Sequence, residues 1–247
     1  MTIFSKRLVY RAIAFTLPLA AIIIFLTLKM KHSDLYAYTV SEDSFFEYVQ
    51  ALSYLSAGII FMLPALKGLW SGQIIQVITL LVAGGILILI AMEEISWGQR
   101  IFGIRTPEWF RENNIQHEIS IHNLEPVQKT IHLLYALTGA FFAFGWIPRR
   151  VGFITRNFPH ELSSFFTLLK PRLYLMTYFL PLFLFYSYSI IKDSPGPFFT
   201  FNDQEIPELL LSIGILLYSI DLFSSLKRSV NASKKNNPGN QPMGLIN

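Results

Sequence analysis

Six apolar stretches, at roughly residues 11–29, 46–66, 74–92, 130–147, 173–191 and 207–226, run through this chain of 247 residues. Each is close to the ~20 residues that a helix rising ~1.5 Å per residue needs to cross a ~30 Å hydrocarbon core. Charged residues make up 15% of the chain, against about 25% in soluble domains. The pattern predicts an all-α fold: a polytopic transmembrane helical bundle of about six spans, forming one domain over residues 1–228. The polar, Asn- and Gly-rich segment 229–247 has too little apolar surface to fold and reads as a disordered tail.

Lys6, Arg7 and Arg11 precede the first run, and Lys29-Met30-Lys31 follows it where a signal peptide would show small residues before its cleavage site. The run therefore reads as a retained span. Orientation follows from the basic residues between spans. With the N-terminus inside, thirteen Lys and Arg fall on the cytoplasmic side and seven outside, so both termini are expected in the cytoplasm. The net charge of +4 and pI of about 9.2 then belong to segments flanking a membrane and facing anionic lipid, and nucleic acid is not an expected partner. The absence of cysteine excludes disulfides, iron–sulfur clusters and thiol catalysis.

Orientation turns the polar residues into a location. Glu47 opens the second run, Glu93 and Glu94 close the third, His132 begins the fourth, and Glu205 and Glu208 open the sixth. All four helix ends fall on the outer side, together with the long connection 96–129 and its Gln99, Asn114, Gln116, His117, Glu118, His122 and Asn123. Several members also have ordinary structural roles. Ser44 with Glu47 fits a capping box, and Glu205-Ile206-Pro207-Glu208 fits a helix start. Thr106-Pro107-Glu108 starts a short helix with Trp109 and Phe110 on its apolar face. Glu93-Glu94 follows an apolar run without a polar spacer, a placement that usually turns a carboxylate toward a bundle interior. A Glu93–Arg100 or Glu94–His ion pair is one expectation there. Glu118 and His122, four residues apart, share a face in a helix and in a strand alike. They suit a metal site or an acid–base pair, although His117-Glu118 through His122 does not match the zinc-protease spacing. The apolar residues of 96–125 predict a structured loop packed back over the helix ends.

The strings EEISWGQRIFG at 93–103, TPEWF at 106–110 and NIQHEISIHNL at 114–124, with Glu42, Asp43, Ser44 and Glu47 upstream, resemble a family of bacterial multi-pass membrane proteins with no assigned activity. The resemblance covers about residues 40–125 and implies a small residue where this chain has His117. It directs attention to Glu47, Glu93, Glu94, Trp97, Gln99, Gln116, Glu118, His122 and Asn123.

Convergence of these groups on one face predicts an integral protein of a bacterial inner membrane with a carboxylate/histidine pocket. Glu94, Glu118 and His122 are its candidate catalytic groups. Glu47, Glu94, Glu118 and His122 are candidate ligands of a divalent metal, and Trp97, Gln99, Gln116 and Asn123 candidate substrate contacts. Hydrolysis or group transfer on a lipid or lipid-linked substrate is the leading expectation. The alternatives are a solute- or cation-binding or transport protein, and an accessory subunit docking a membrane partner.

The Cys-free background allows a direct test of topology. Single cysteines at Asn113 and Asn202 should react with a membrane-impermeant maleimide from outside, and those at Thr155 and Asn240 should not. Labelling of position 113 only after permeabilisation would invert the orientation.

Overall fold

The computed structural model describes residues 3–41, 44–66, 74–147, 170–196 and 198–236. Lys67, Arg149, Arg150 and Arg156, expected on the cytoplasmic side, and the end of the expected tail from residue 237 lie outside them. Long helices follow the apolar runs: α1 (Ile3–Lys31), α3 (Phe45–Leu66), α4 (Ile74–Glu94), α6 (Glu125–Phe144), α7 (Met176–Lys192) and α8 (Glu205–Asn236). Short helices α2 (Ser33–Thr39) and α5 (Glu108–Asn113) lie between them, and no strand forms among the described residues. Helix α8 continues through Asn236, so the first part of the segment read as tail is helical.

Five segments are long and apolar enough to cross a membrane: Leu8–Lys31, Phe45–Leu66, Gln76–Glu94, Leu173–Lys192 and Asn202–Arg228. The fourth apolar run, in α6, is not among them. Its helix spends its first turns on Pro126, Gln128, Lys129 and His132, which shortens its apolar length.

The helices pack in the order α4–α3–α8–α7–α6, and α1 leans on α7 from outside. Burial is selective by size and polarity. On α3, Ala51, Tyr54, Ala57 and Phe61 are buried while Leu52, Leu55 and Ile59 are exposed. Large aliphatics facing outward and small or aromatic residues facing inward suit a bundle solvated by lipid, where association depends on close packing. Aromatic rings fill the centre: Phe142 stacks on Phe179 at 4.7 Å and meets Tyr218 edge-on at 5.1 Å. Pro18 interrupts the hydrogen bonding of α1, and nearby the Thr177 hydroxyl donates to the Phe15 carbonyl across the α1–α7 contact (2.9 Å).

The closest helix pair is α3 with α4. A Cβ on Gly58 would stand 2.7 Å from the Gly84 carbonyl oxygen, and one on Gly84 would stand 2.7 Å from that of Gly58. Neither contact exists in real proteins, so the two backbones meet here because both residues lack side chains. A Cβ on neighbouring Gly85 would touch only the Met62 methyl at 3.9 Å.

Gly84→Ala should therefore force α3 and α4 apart and destabilise the bundle by about 1–3 kcal/mol, the usual cost of overpacking. Gly85→Ala should be close to neutral. Denaturation of the two purified variants in detergent measures the difference, and equal stabilities would argue against the glycine contact.

Candidate functional site

The connection from α4 to α6 is built by its own sequence motif. After Glu94 the chain passes through Ile95 into three successive residues with positive φ: Ser96 (47°), Trp97 (55°) and Gly98 (76°). For Ser96 and Trp97 this left-handed conformation costs about 1–2 kcal/mol each. The reversal is held by side chains on both sides of it. Trp97 donates its indole N–H back to Glu93 Oε1 at 2.6 Å. Gln99 donates to the Thr106 hydroxyl (2.6 Å) and accepts from the Ile119 amide (2.7 Å). The Ser96 hydroxyl donates to Glu118, and Arg100 contacts the same carboxylate at 3.3 Å.

Residues 114–124 form neither a helix nor a strand. They fold as an irregular loop closed by one bridge between Asn114 and Leu124, with His117 at φ 57°. Asn114 donates to the carbonyl and hydroxyl of Ser120 (2.8 and 3.1 Å), and Asn123 donates to Gln116 and to Glu118 (3.0 Å to the latter). Glu93 fastens this loop to α4. Its second oxygen accepts from the backbone amides of Ile121 (2.6 Å) and His122 (3.1 Å) and faces His122 Nδ1 at 3.3 Å. Glu93 pairs with His122 and Arg100 with Glu118, where the sequence suggested Glu93–Arg100 or Glu94–His.

The loop is built with its polar side chains inward and many of its apolar side chains outward. Ser120 is fully buried, as are nearly all of Asn114, Glu118 and Asn123, whereas Phe102 is 75% exposed and Ile101, Trp109, Ile115 and Ile121 are exposed as well. Polar groups inside and apolar groups outside are the arrangement of a segment lying against a bilayer interface, where Trp is enriched.

Beneath the loop lies a small polar cavity of about 30 Å³, which exceeds the ~10–15 Å³ minimum for one water. Its walls come from α3, α4, α6, α7, the start of α8 and the loop. Glu47, Glu94, Gln116, Glu118, His122 and Asn123 all line it, so six sequence-selected residues meet around one space. Trp97 and Gln99 do not line it; both are used in holding the loop. Glu47 and Glu94 also border a smaller adjoining cavity of about 10 Å³ that reaches Ser96 and Arg100.

Three groups whose sequence positions suggested ordinary helix ends join them, His132, Glu205 and Glu208, and so does Tyr186 from mid-α7. Tyr186 donates its hydroxyl to Glu208 and packs against His132 and Tyr135, with ring centres 5.0 and 4.9 Å apart. Buried Gln50 donates to Glu205 at 3.0 Å. The acidic spacing of Glu205 and Glu208 was visible in the sequence. The recruitment of Gln50, Tyr135 and Tyr186 was not, since each sits in an apolar run with no local signature. Ser44 caps α3 through the Phe46 amide (3.2 Å), while Glu47 lines the cavity.

Among the described residues no three His, Asp or Glu side chains stand as a ready-made ligand cluster. The donor set is nevertheless oxygen-rich with imidazole, the chemistry that suits Mg, Mn or Zn. Because Glu93 accepts at Nδ1 of His122, the proton of a neutral imidazole belongs on Nδ1 and Nε2 keeps its lone pair. Comparison with family models, characterised proteins and solved structures finds no match to this chain.

The loop's closure rests on Gln99 more than on its apolar residues. Gln99→Ala removes two partners from Thr106 and Ile119, at about 1–3 kcal/mol for each buried group left unsatisfied. In micelles the wild-type protein should resist trypsin at Arg105 and Arg111, and the variant should be cut about tenfold faster. Equal cutting rates would show that Gln99 does not hold the loop.

Proposed function

We propose that this chain is an integral membrane enzyme of six spans, with both termini cytoplasmic. In this reading the acidic cavity opens to the outer face, holds a divalent cation and performs hydrolysis or group transfer on a lipid-linked substrate. The observation that carries the reading is the gathering of Glu47, Glu94, Glu118, Glu205 and Glu208 around one small space. Like charges this close cannot all persist in a low-dielectric site without protons or a cation to balance them. Arg100 contacts Glu118.

The Glu93–His122 pair supports the metal over protons alone. A carboxylate that fixes the tautomer and orientation of an imidazole is the usual outer partner of a metal-binding histidine. His122 Nε2, Glu94 and Glu208 would be the leading ligands, with Glu47 and Glu205 beside them. Glu118 would act mainly as a positioning residue, because Ser96, Arg100 and Asn123 already hold its oxygens. The cation supplies polarisation of a phosphoryl or acyl oxygen and activation of water. The chain supplies exclusion of bulk solvent by the loop, a base among the remaining carboxylates, and amide donors at Gln116, Gln128 and Gln204.

A conducting path is less well supported. Below the cavity the packed core is Leu80, Phe179, Leu182, Leu211 and Ile215. The Arg172–Asp221 pair (3.7 Å) lies toward the opposite end. Between those ends lie buried hydroxyls such as Ser212 and Ser219, where an ion path would need charged groups.

The protein purified in mild detergent should carry a divalent metal, and Mn²⁺ or Zn²⁺ restored after chelation should raise its thermal midpoint. Glu94→Gln and Glu208→Gln should each weaken metal binding by about tenfold or more, with insertion intact. No copurifying metal and no midpoint shift at millimolar ion would reject the metal-dependent reading.

A further inference from the structure

A second cavity, of about 720 Å³, lies on the other side of the start of α8. That size is within the ~300–1,000 Å³ of small-molecule sites. Its wall is almost wholly hydrocarbon: Ile22 and Phe25 of α1, Leu180 and Leu184 of α7, Phe199, and Ile206 of α8. It opens sideways between α1 and α7, where Leu19 and Leu184 are exposed. On α7 it extends from Thr177 to Tyr188, eleven residues or about 16 Å of helix. One leaflet of a ~30 Å hydrocarbon core has about that depth.

Tyr36 and Asp203 line one end of it, opposite Thr177, and Lys29 stands beside Asp203. Lys29 pairs with Asp203 at 2.5 Å and lies over the rings of Tyr36, Phe198 and Phe199, 5.0–5.5 Å from their centres. Asp203 also accepts from the Tyr36 hydroxyl and from the amide and hydroxyl of Thr200 (2.5 and 3.1 Å). Its negative charge is thereby spread over several donors. Lys29 carries three N–H donors, and among the described residues Asp203 alone accepts a hydrogen bond from it. Burial and the Asp203 carboxylate raise the Tyr36 phenol well above its ordinary pKa, so it stays a donor. The cluster sits where α1 ends and the Asn202–Arg228 segment begins, at the depth of a bilayer interface.

An apolar space of this size open to a bilayer does not remain a void, because its lining would forfeit dispersion contacts. Water does not settle in a space without polar partners. We propose that the groove holds one acyl chain of a glycerophospholipid, with the lipid phosphate at the free donors of Lys29. This site is separate from the acidic cavity and stands whether or not that cavity binds a metal.

Photo-crosslinking of the full chain in phosphatidylcholine vesicles tests the proposal. The probes are a phosphatidylglycerol and a diacylglycerol carrying the same mid-chain diazirine. Phosphatidylglycerol should label Ile22, Leu180 and Leu184 about five-fold more than the exposed Ile86 and Leu89 of α4, and about five-fold more than diacylglycerol labels the groove. Lys29→Gln, which keeps a hydrogen bond to Asp203, should erase the preference for the phospholipid. Leu180→Trp, which fills the groove, should bring labelling down to the α4 level. Equal labelling of groove and α4 overturns the site. Equal groove labelling by the two probes overturns the phosphate contact and with it the phospholipid as occupant. The wild-type pattern needs no variant, so misfolding of either substitution leaves the test intact.

Discussion

Glu93 is the residue around which this end of the molecule is organised. Its carboxylate sits in the last turn of α4, accepts from an indole and two backbone amides, and faces an imidazole. A carboxylate at a helix C-terminus meets the unfavourable end of the helix dipole and, here, the edge of an apolar run. It is tolerable because those donors replace water. The same donors belong to Trp97, Ile121 and His122, so satisfying one charge pins a reversal and a distant loop to a single point. The left-handed residues Ser96 and Trp97 are the conformational cost of that closure.

Once the loop is pinned, the acidic ends of α3, α4 and α8 have a roof. Hydrocarbon on all sides of the bundle leaves the helix ends and the interior as the places where carboxylates can be accommodated. The order α4–α3–α8–α7–α6 brings three acidic ends to one side. Proximity then follows from packing: Gly58 against Gly84 draws α3 onto α4, and with them Glu47 toward Glu94. Tyr186 and Gln50 supply hydrogen bonds to Glu208 and Glu205 from within the spans, so part of the acidity is anchored by the membrane-embedded core itself.

Much of this was readable before the coordinates. Run length identifies five membrane-crossing segments, because each apolar stretch maps onto one helix. The fourth run, at 130–147, forms a helix too, but its polar first turns keep it from being long and apolar enough to stand with the other five. The cavity lining was legible at Glu47, Glu94, Gln116, Glu118, His122 and Asn123, since polar groups beside apolar runs have few places to go. Partner choice was not legible. Four-residue spacing puts Glu118 and His122 on one side of the chain in any regular structure, yet residues 118–122 form neither helix nor strand, and the two bind different partners, Ser96 and Glu93. The outward side chains of Phe102 and Trp109 follow a related rule: apolar groups turn inward only where water lies outside.

The opening turn of α8 faces two environments. Gln204, Glu205 and Glu208 look onto the acidic cavity, and Asp203, Ile206 and Pro207 look onto the apolar groove. A wall one helical turn thick cannot move on one side only. Whatever occupies the groove and prefers one position of this turn must alter affinity in the cavity, and a cavity occupant must return the effect by the same factor. The composition of the surrounding bilayer thereby becomes a thermodynamic variable of the polar site.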